Sequence, residues 1–253
     1  MEQKWKTIPG LPAEVVEAVT ALVDELTSLL GEALRSVVLY GDLARGEFHP
    51  VSPGIDVLLV IEPLSREQLE AIARPLRRAR WVVDLGFLLL SPADLTRSTD
   101  VFPIKFADLR EHHILLHGED LLSPLTIGRE HLRLRCEQEL RTILWRLRRQ
   151  YMFVCDYGDR LQATLCEAFS TFLVTISGSL RARGIEAPRD SRARIDLVGA
   201  QYQVDAAVFH EVLALRDRID AEIPLDDVRR LYWQLVEQLA ALVIQVDREG
   251  YAE

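Results

Sequence analysis

Two hydrophobic periods divide this chain, and the change between them limits what it can fold into. Up to about residue 123, short β-branched or aromatic runs alternate with stretches whose apolar residues recur every three or four positions. After Arg129 only the second pattern continues. A two-residue period builds a sheet and a 3.6-residue period builds helices. The first half therefore predicts an α+β layer, and the second an all-α bundle with short connections. The expected boundary falls in Ser123-Pro-Leu-Thr-Ile-Gly128, giving domains 1–125 and 126–253.

Within the first domain the spacing predicts a helix over residues 12–34 and strands over 36–40 and 55–61. A second helix is expected over 65–79, capped by Ser65 with Gln68 three residues on and shortened or kinked at Pro75. Residues 81–90 read as a third strand with Asp84 inside it, where a carboxylate would need a partner. Ser91-Pro opens a short helix, and residues 114–118 form a fourth strand. The bundle helices are expected over 132–154, 161–183, 191–200, 206–222 and 225–248.

Composition removes several classes. The 253 residues carry 30 Lys+Arg against 39 Asp+Glu, a formal charge of -9. That sign argues against nucleic acid as a partner. Cys136, Cys155 and Cys166 include no C-x-x-C pair, which argues against a disulfide framework and a zinc ribbon and suits a reducing cytoplasm. No run approaches roughly 18 continuous apolar residues, so no membrane association is expected. Neither a G-x-x-x-x-G-K-[ST] loop nor a G-x-S-x-G elbow is present. Three further groups have ordinary readings: His112, His113 and His117 as structural histidines, Arg141, Arg146, Arg148 and Arg149 as a salt-bridged helix face, and the cysteines as buried small hydrophobes. Apolar stripes on at least two bundle helices would suit either a homodimer or burial within one chain.

One loop carries chemistry. Gly41-Asp-Leu-Ala-Arg-Gly46 follows a strand, and Gly54-Ile-Asp56 opens the next. A glycine leading into a helical turn lets backbone N–H groups approach phosphates, and an acidic residue on the neighbouring strand can hold Mg²⁺ against them. Across residues 37–60 the sequence resembles the polymerase-beta-type nucleotidyltransferase superfamily, whose members carry Gly-Ser, then Ala-Arg-Gly, then Ser-Asp-x-Asp. Leu90-Ser-Pro-Ala-Asp-Leu, Asp100-Val-Phe-Pro-Ile-Lys-Phe and His117-Gly-Glu-Asp are similar to stretches of bacterial nucleotidyltransferase-domain proteins.

The resemblance implies transfer of a nucleoside monophosphate from ATP or another NTP to an acceptor hydroxyl. Gly41, Asp42 and Arg45 would stand at the phosphates. Asp56, with Asp84 as the third carboxylate, would be the catalytic and metal-binding pair, and the bundle would help form an acceptor pocket. Two positions depart from the family pattern. Asp42 replaces the serine, and Gly54 replaces the first aspartate of Asp-x-Asp. In the family the two aspartates share one strand face and bind two metal ions roughly 3.5–4 Å apart. With Asp56 and Asp84 alone, Mg²⁺ would be held weakly. The expectation is a catalytically weak or inactive chain that binds a nucleotide or small molecule, with a working transferase and a protein-interaction module as the alternatives.

Overall fold

The computed structural model describes residues 11–45, 54–216 and 223–249. Gly46, Ser52, Pro53 and the end of the helix expected over 206–222 lie outside the described residues. The chain divides into two compact units, residues 1–127 and 128–253.

The first unit contains α1 (Ala13–Leu30), β1 (Leu34–Tyr40), α2 (Asp42–Arg45), β2 (Ile55–Ile61), α3 (Arg66–Val82), β3 (Leu85–Leu90), α4 (Pro92–Arg97), α5 (Pro103–Glu111) and β4 (Ile114–Gly118). The sheet order is β3-β2-β1-β4. β1 runs antiparallel to both β2 and β4, while β2 and β3 are parallel. The end of β1 therefore lies beside the beginnings of β2 and β3.

Both sheet faces are covered, which explains strands that read as almost unbroken apolar runs. Ile55, Val57, Leu59 and Ile61 pack with Val19, Leu22 and Leu26 of α1 and Ile72 and Leu76 of α3. Leu58 and Val60 point the other way, onto Leu95 of α4 and Phe106 and Leu109 of α5. Asp56 shares that second face and is the one β2 residue that is not fully buried.

Three local expectations need correction. α3 runs to Val82 and β3 begins only at Leu85, so Trp81 and Val82 are helical. The Val83 N–H closes the helix on the Ala79 carbonyl, and Trp81 is 90% exposed. An apolar triplet alone does not distinguish a helix end from a strand start. Pro75 does not end α3 but sits within it, on the buried face. Ser65 precedes α3 but makes no side-chain cap; its hydroxyl bonds Gln68 Oε1 instead. The capping box forms at α4, where Asp94 N–H donates to Ser91 Oγ at 3.2 Å and Ser91 N–H donates to Asp94 Oδ2 at 2.8 Å.

The second unit contains α6 (Arg129–Val154), α7 (Gly158–Ala182), α8 (Ser191–Tyr202), α9 (Ala206–Arg216) and α10 (Leu225–Glu249). Its core is built on stacked Phe169, Phe172 and Phe209, and on Tyr232, whose hydroxyl donates to the Leu147 carbonyl at 2.7 Å. α7 has no long continuous apolar run but is long and apolar enough by average composition to cross a membrane, and 61% of its most apolar window is buried in the protein. Polar residues spaced along it escape a search for unbroken apolar runs. Its Thr175, Ser177 and Ser179 hydroxyls bond carbonyls four residues back, which satisfies them inside the core. The arginine face of α6 is only partly salt-bridged. Arg141 pairs with Glu137 and Asp247, and Arg146 with Glu167, whereas Arg148 and Arg149 are exposed and have no ion pair among the described residues. Burial pushes the Cys136 thiol up to about 12, which keeps it protonated and inert.

Candidate functional site

Sheet register assembles the site. Tyr40 at the end of β1 is opposite Asp56, and Asp56 is beside Gly86 of β3. A Cβ added at Gly41 would lie 2.7 Å from Asp56 Oδ2, and one added at Gly86 would lie 2.4 Å from Oδ1. The Asp56 carboxylate thus occupies a slot between two glycines on neighbouring segments. Gly41 also has a φ of +77°, where other L-residues are strained. Gly41 is buried, and the space left by its missing side chain is taken by Asp56. Gly86 was not legible as a site residue. A glycine in an apolar strand can signal a close approach, but not what approaches.

Arg45 closes α2, and its N–H returns to the Gly41 carbonyl at 3.1 Å. Its guanidinium donates to Asp108 Oδ2 of α5 at 2.6 Å, with side chains only 9% and 12% exposed. A guanidinium at this turn can serve phosphate or pair with a nearby carboxylate, and here it makes the salt bridge. The Asp42 side chain lies outside what the structure describes, although its backbone opens α2.

Asp84 is exposed, which removes the premise of a buried charge needing a partner. Its carbonyl accepts from Ile55 N–H at 2.8 Å, and it stands two residues before Gly86. Parallel register therefore puts it level with Gly54. Gly54 is itself exposed, and an added Cβ there meets nothing within 4 Å. The position has room for a side chain and lacks one.

One cation at this end of the sheet comes from a residue that pattern reading passed over. Lys105 of α5 holds its ammonium 5.2 Å from the Tyr40 ring centroid. Lys105 is exposed and has no ion pair among the described residues. Burial, and after it the Asp56 charge, pushes the Tyr40 phenol up to about 12. Tyr40 is therefore neutral at physiological pH and can donate a hydrogen bond.

Two clustered divalent ions need several carboxylates on one face. Here Asp56 is the carboxylate in the slot, Gly54 contributes none, and Asp84 is exposed at the strand's start. No group of three or more His, Cys, Asp or Glu gathers among the described residues. His113 Nε2 lies 3.2 Å from Asp120 Oδ1, and β4 carries His117. Among the described residues the donor set does not fit a two-ion centre.

No family model matches this chain, and no curated protein matches it. Among solved structures it is similar to that of spectinomycin adenyltransferase AAD(9) from Enterococcus faecialis with ATP and spectinomycin, with a TM-score of 0.57 and 12% sequence identity. The match covers 92% of this chain and 99% of that one. Identity at this level speaks to fold and not to activity. The chain has a nucleotidyltransferase fold, with an N-terminal α+β unit followed by a helical one.

Proposed function

We propose that this chain binds a nucleotide or a nucleotide-like small molecule at the end of β1 and transfers from it poorly or not at all. One observation carries the reading: Asp56 sits in its two-glycine slot, while position 54 has no side chain and an added Cβ there would meet nothing within 4 Å. The fold neighbour was solved with ATP, which supports a nucleotide as the ligand class. Phosphates would meet the first-turn N–H groups after Gly41, which have no intrahelical acceptors, and the Lys105 ammonium. Arg45 is tied to Asp108 through Nη1, so a phosphate contact would fall to its remaining N–H groups. Asp56 and Asp84 leave donors for one weakly held Mg²⁺ at most. By comparison with other preorganised electrostatic groups, losing one costs about 2.7–4 kcal/mol of transition-state stabilisation, or 10²–10³ in rate.

The test restores the missing group. Gly54→Asp is sterically free, so its stability is expected to match that of the unmodified protein. The variant is expected to bind ATP at least about tenfold more tightly with Mg²⁺ than with EDTA. An unchanged Mg²⁺ dependence in a folded variant would show that the site lacks more than this one carboxylate. Mg²⁺-dependent pyrophosphate release from ATP by the unmodified protein would instead identify a working transferase.

A further inference from the structure

β3 ends the sheet. It pairs with β2, and among the described residues no strand lies on its other side. Natural edges are blunted by charge, proline or bulges. Leu85-Gly-Phe-Leu-Leu-Leu90 has none of these. A groove of about 300 Å³ runs alongside, between α3 and β3. Leu69 and Phe87, each 40% exposed, lie along it with Ile72 and Leu76 beneath. Arg77 and Arg80 also line it.

The arginines indicate what fits. Of the other arginines on α3, Arg66 pairs with Glu70 and Arg78 with Glu25, while Arg74, outside the groove lining, adds a further exposed cation. Arg77 and Arg80 are exposed and have no ion pair among the described residues. In a chain of net charge -9, an apolar groove with two uncompensated cations favours an acidic ligand locally. A second copy fits poorly, because a two-fold interface through β3 would bring the same arginines together from both sides.

We propose that the free edge of β3 takes an extended acidic and apolar segment of a partner protein, which adds a strand to the sheet. Backbone hydrogen bonds to β3 supply the affinity. Alternate side chains lie over the groove, apolar ones on Leu69 and Phe87 and carboxylates at Arg77 and Arg80. Gly86 of β3 also walls the slot around Asp56, but none of the groove-lining residues does, and the proposal does not depend on what that slot binds.

The probe is a fluorescein-labelled decapeptide alternating valine with glutamate or aspartate, titrated with the full chain and followed by anisotropy. A lysine-for-acid version and a version with alternate residues replaced by proline are the controls. The acidic peptide is expected to saturate. The lysine version should bind at least about tenfold more weakly, with the order reversed in the exposed double variant Arg77→Glu/Arg80→Glu. The proline version should not bind, and Phe87→Lys should abolish binding of the acidic one. Equal binding of acidic and basic peptides, or no binding of either, would overturn the proposal. So would a dimer that Phe87→Lys dissolves, or displacement of the peptide by a single-stranded oligonucleotide.

Discussion

Asp108→Ala lowers the stability of the N-terminal unit by about 3–5 kcal/mol, the usual penalty for removing one partner of a buried ion pair. The Arg45 guanidinium is nine-tenths covered, and the Asp108 carboxylate 2.6 Å away is its counter-charge. Without that carboxylate a desolvated cation loses a counter-charge at 2.6 Å while staying tied to α2 and the turn after Gly41. Removing both charges, as in Arg45→Met/Asp108→Leu, is expected to recover most of the loss, because a desolvated pair has little net worth against an apolar replacement. Urea midpoints of the four proteins in this double-mutant cycle provide the check. A single-variant loss below about 1 kcal/mol would mean the pair is solvated and does not hold the turn in place.

Arg194→Ala is the corresponding lesion in the bundle. Arg194 is 2% exposed and donates to three backbone carbonyls: Pro188 at 3.1 Å, Arg189 at 2.7 Å and Leu173 at 3.3 Å. It ties the segment before α8 to α7. Truncation leaves those acceptors short of donors and opens a cavity, for an expected loss of about 3–4 kcal/mol. Arg194→Lys keeps the charge but not the planar fork, so its loss should be intermediate. Helical circular dichroism in a urea series measures both. Equal stability of Arg194→Ala and the unmodified protein would contradict this role.

Much of this architecture was legible because both sheet faces and the bundle interior are apolar, and burial writes a period into the sequence. The α1 stripe, β1, β2, β4 and the bundle helices were read that way. Asp56 was legible because it interrupts an apolar strand next to a glycine turn. The misses come from a different kind of information. Trp81-Val-Val suits either a helix end or a strand start, and only packing, which leaves Trp81 outside, moves the start of β3 to Leu85. Gly86 and Lys105 became site residues through register and through α5, and no local pattern links either to Gly41. The partner of Arg45 lies 63 residues away, so which of its two roles is realised could not be decided from the loop. The apolar neighbours of Asp84 suggest burial, whereas the residue just before a strand can be open where the strand itself is covered.

A site at the end of β1 that holds a nucleotide without a metal pair should bind ATP whether or not Mg²⁺ is present. Calorimetric titration of the unmodified protein with ATP, once in EDTA and once in excess Mg²⁺, addresses this most directly. Micromolar binding is expected in both, with constants within about threefold of each other, and weakened by about tenfold in Lys105→Met. Binding that appears only with Mg²⁺, or no binding in either buffer, would contradict it.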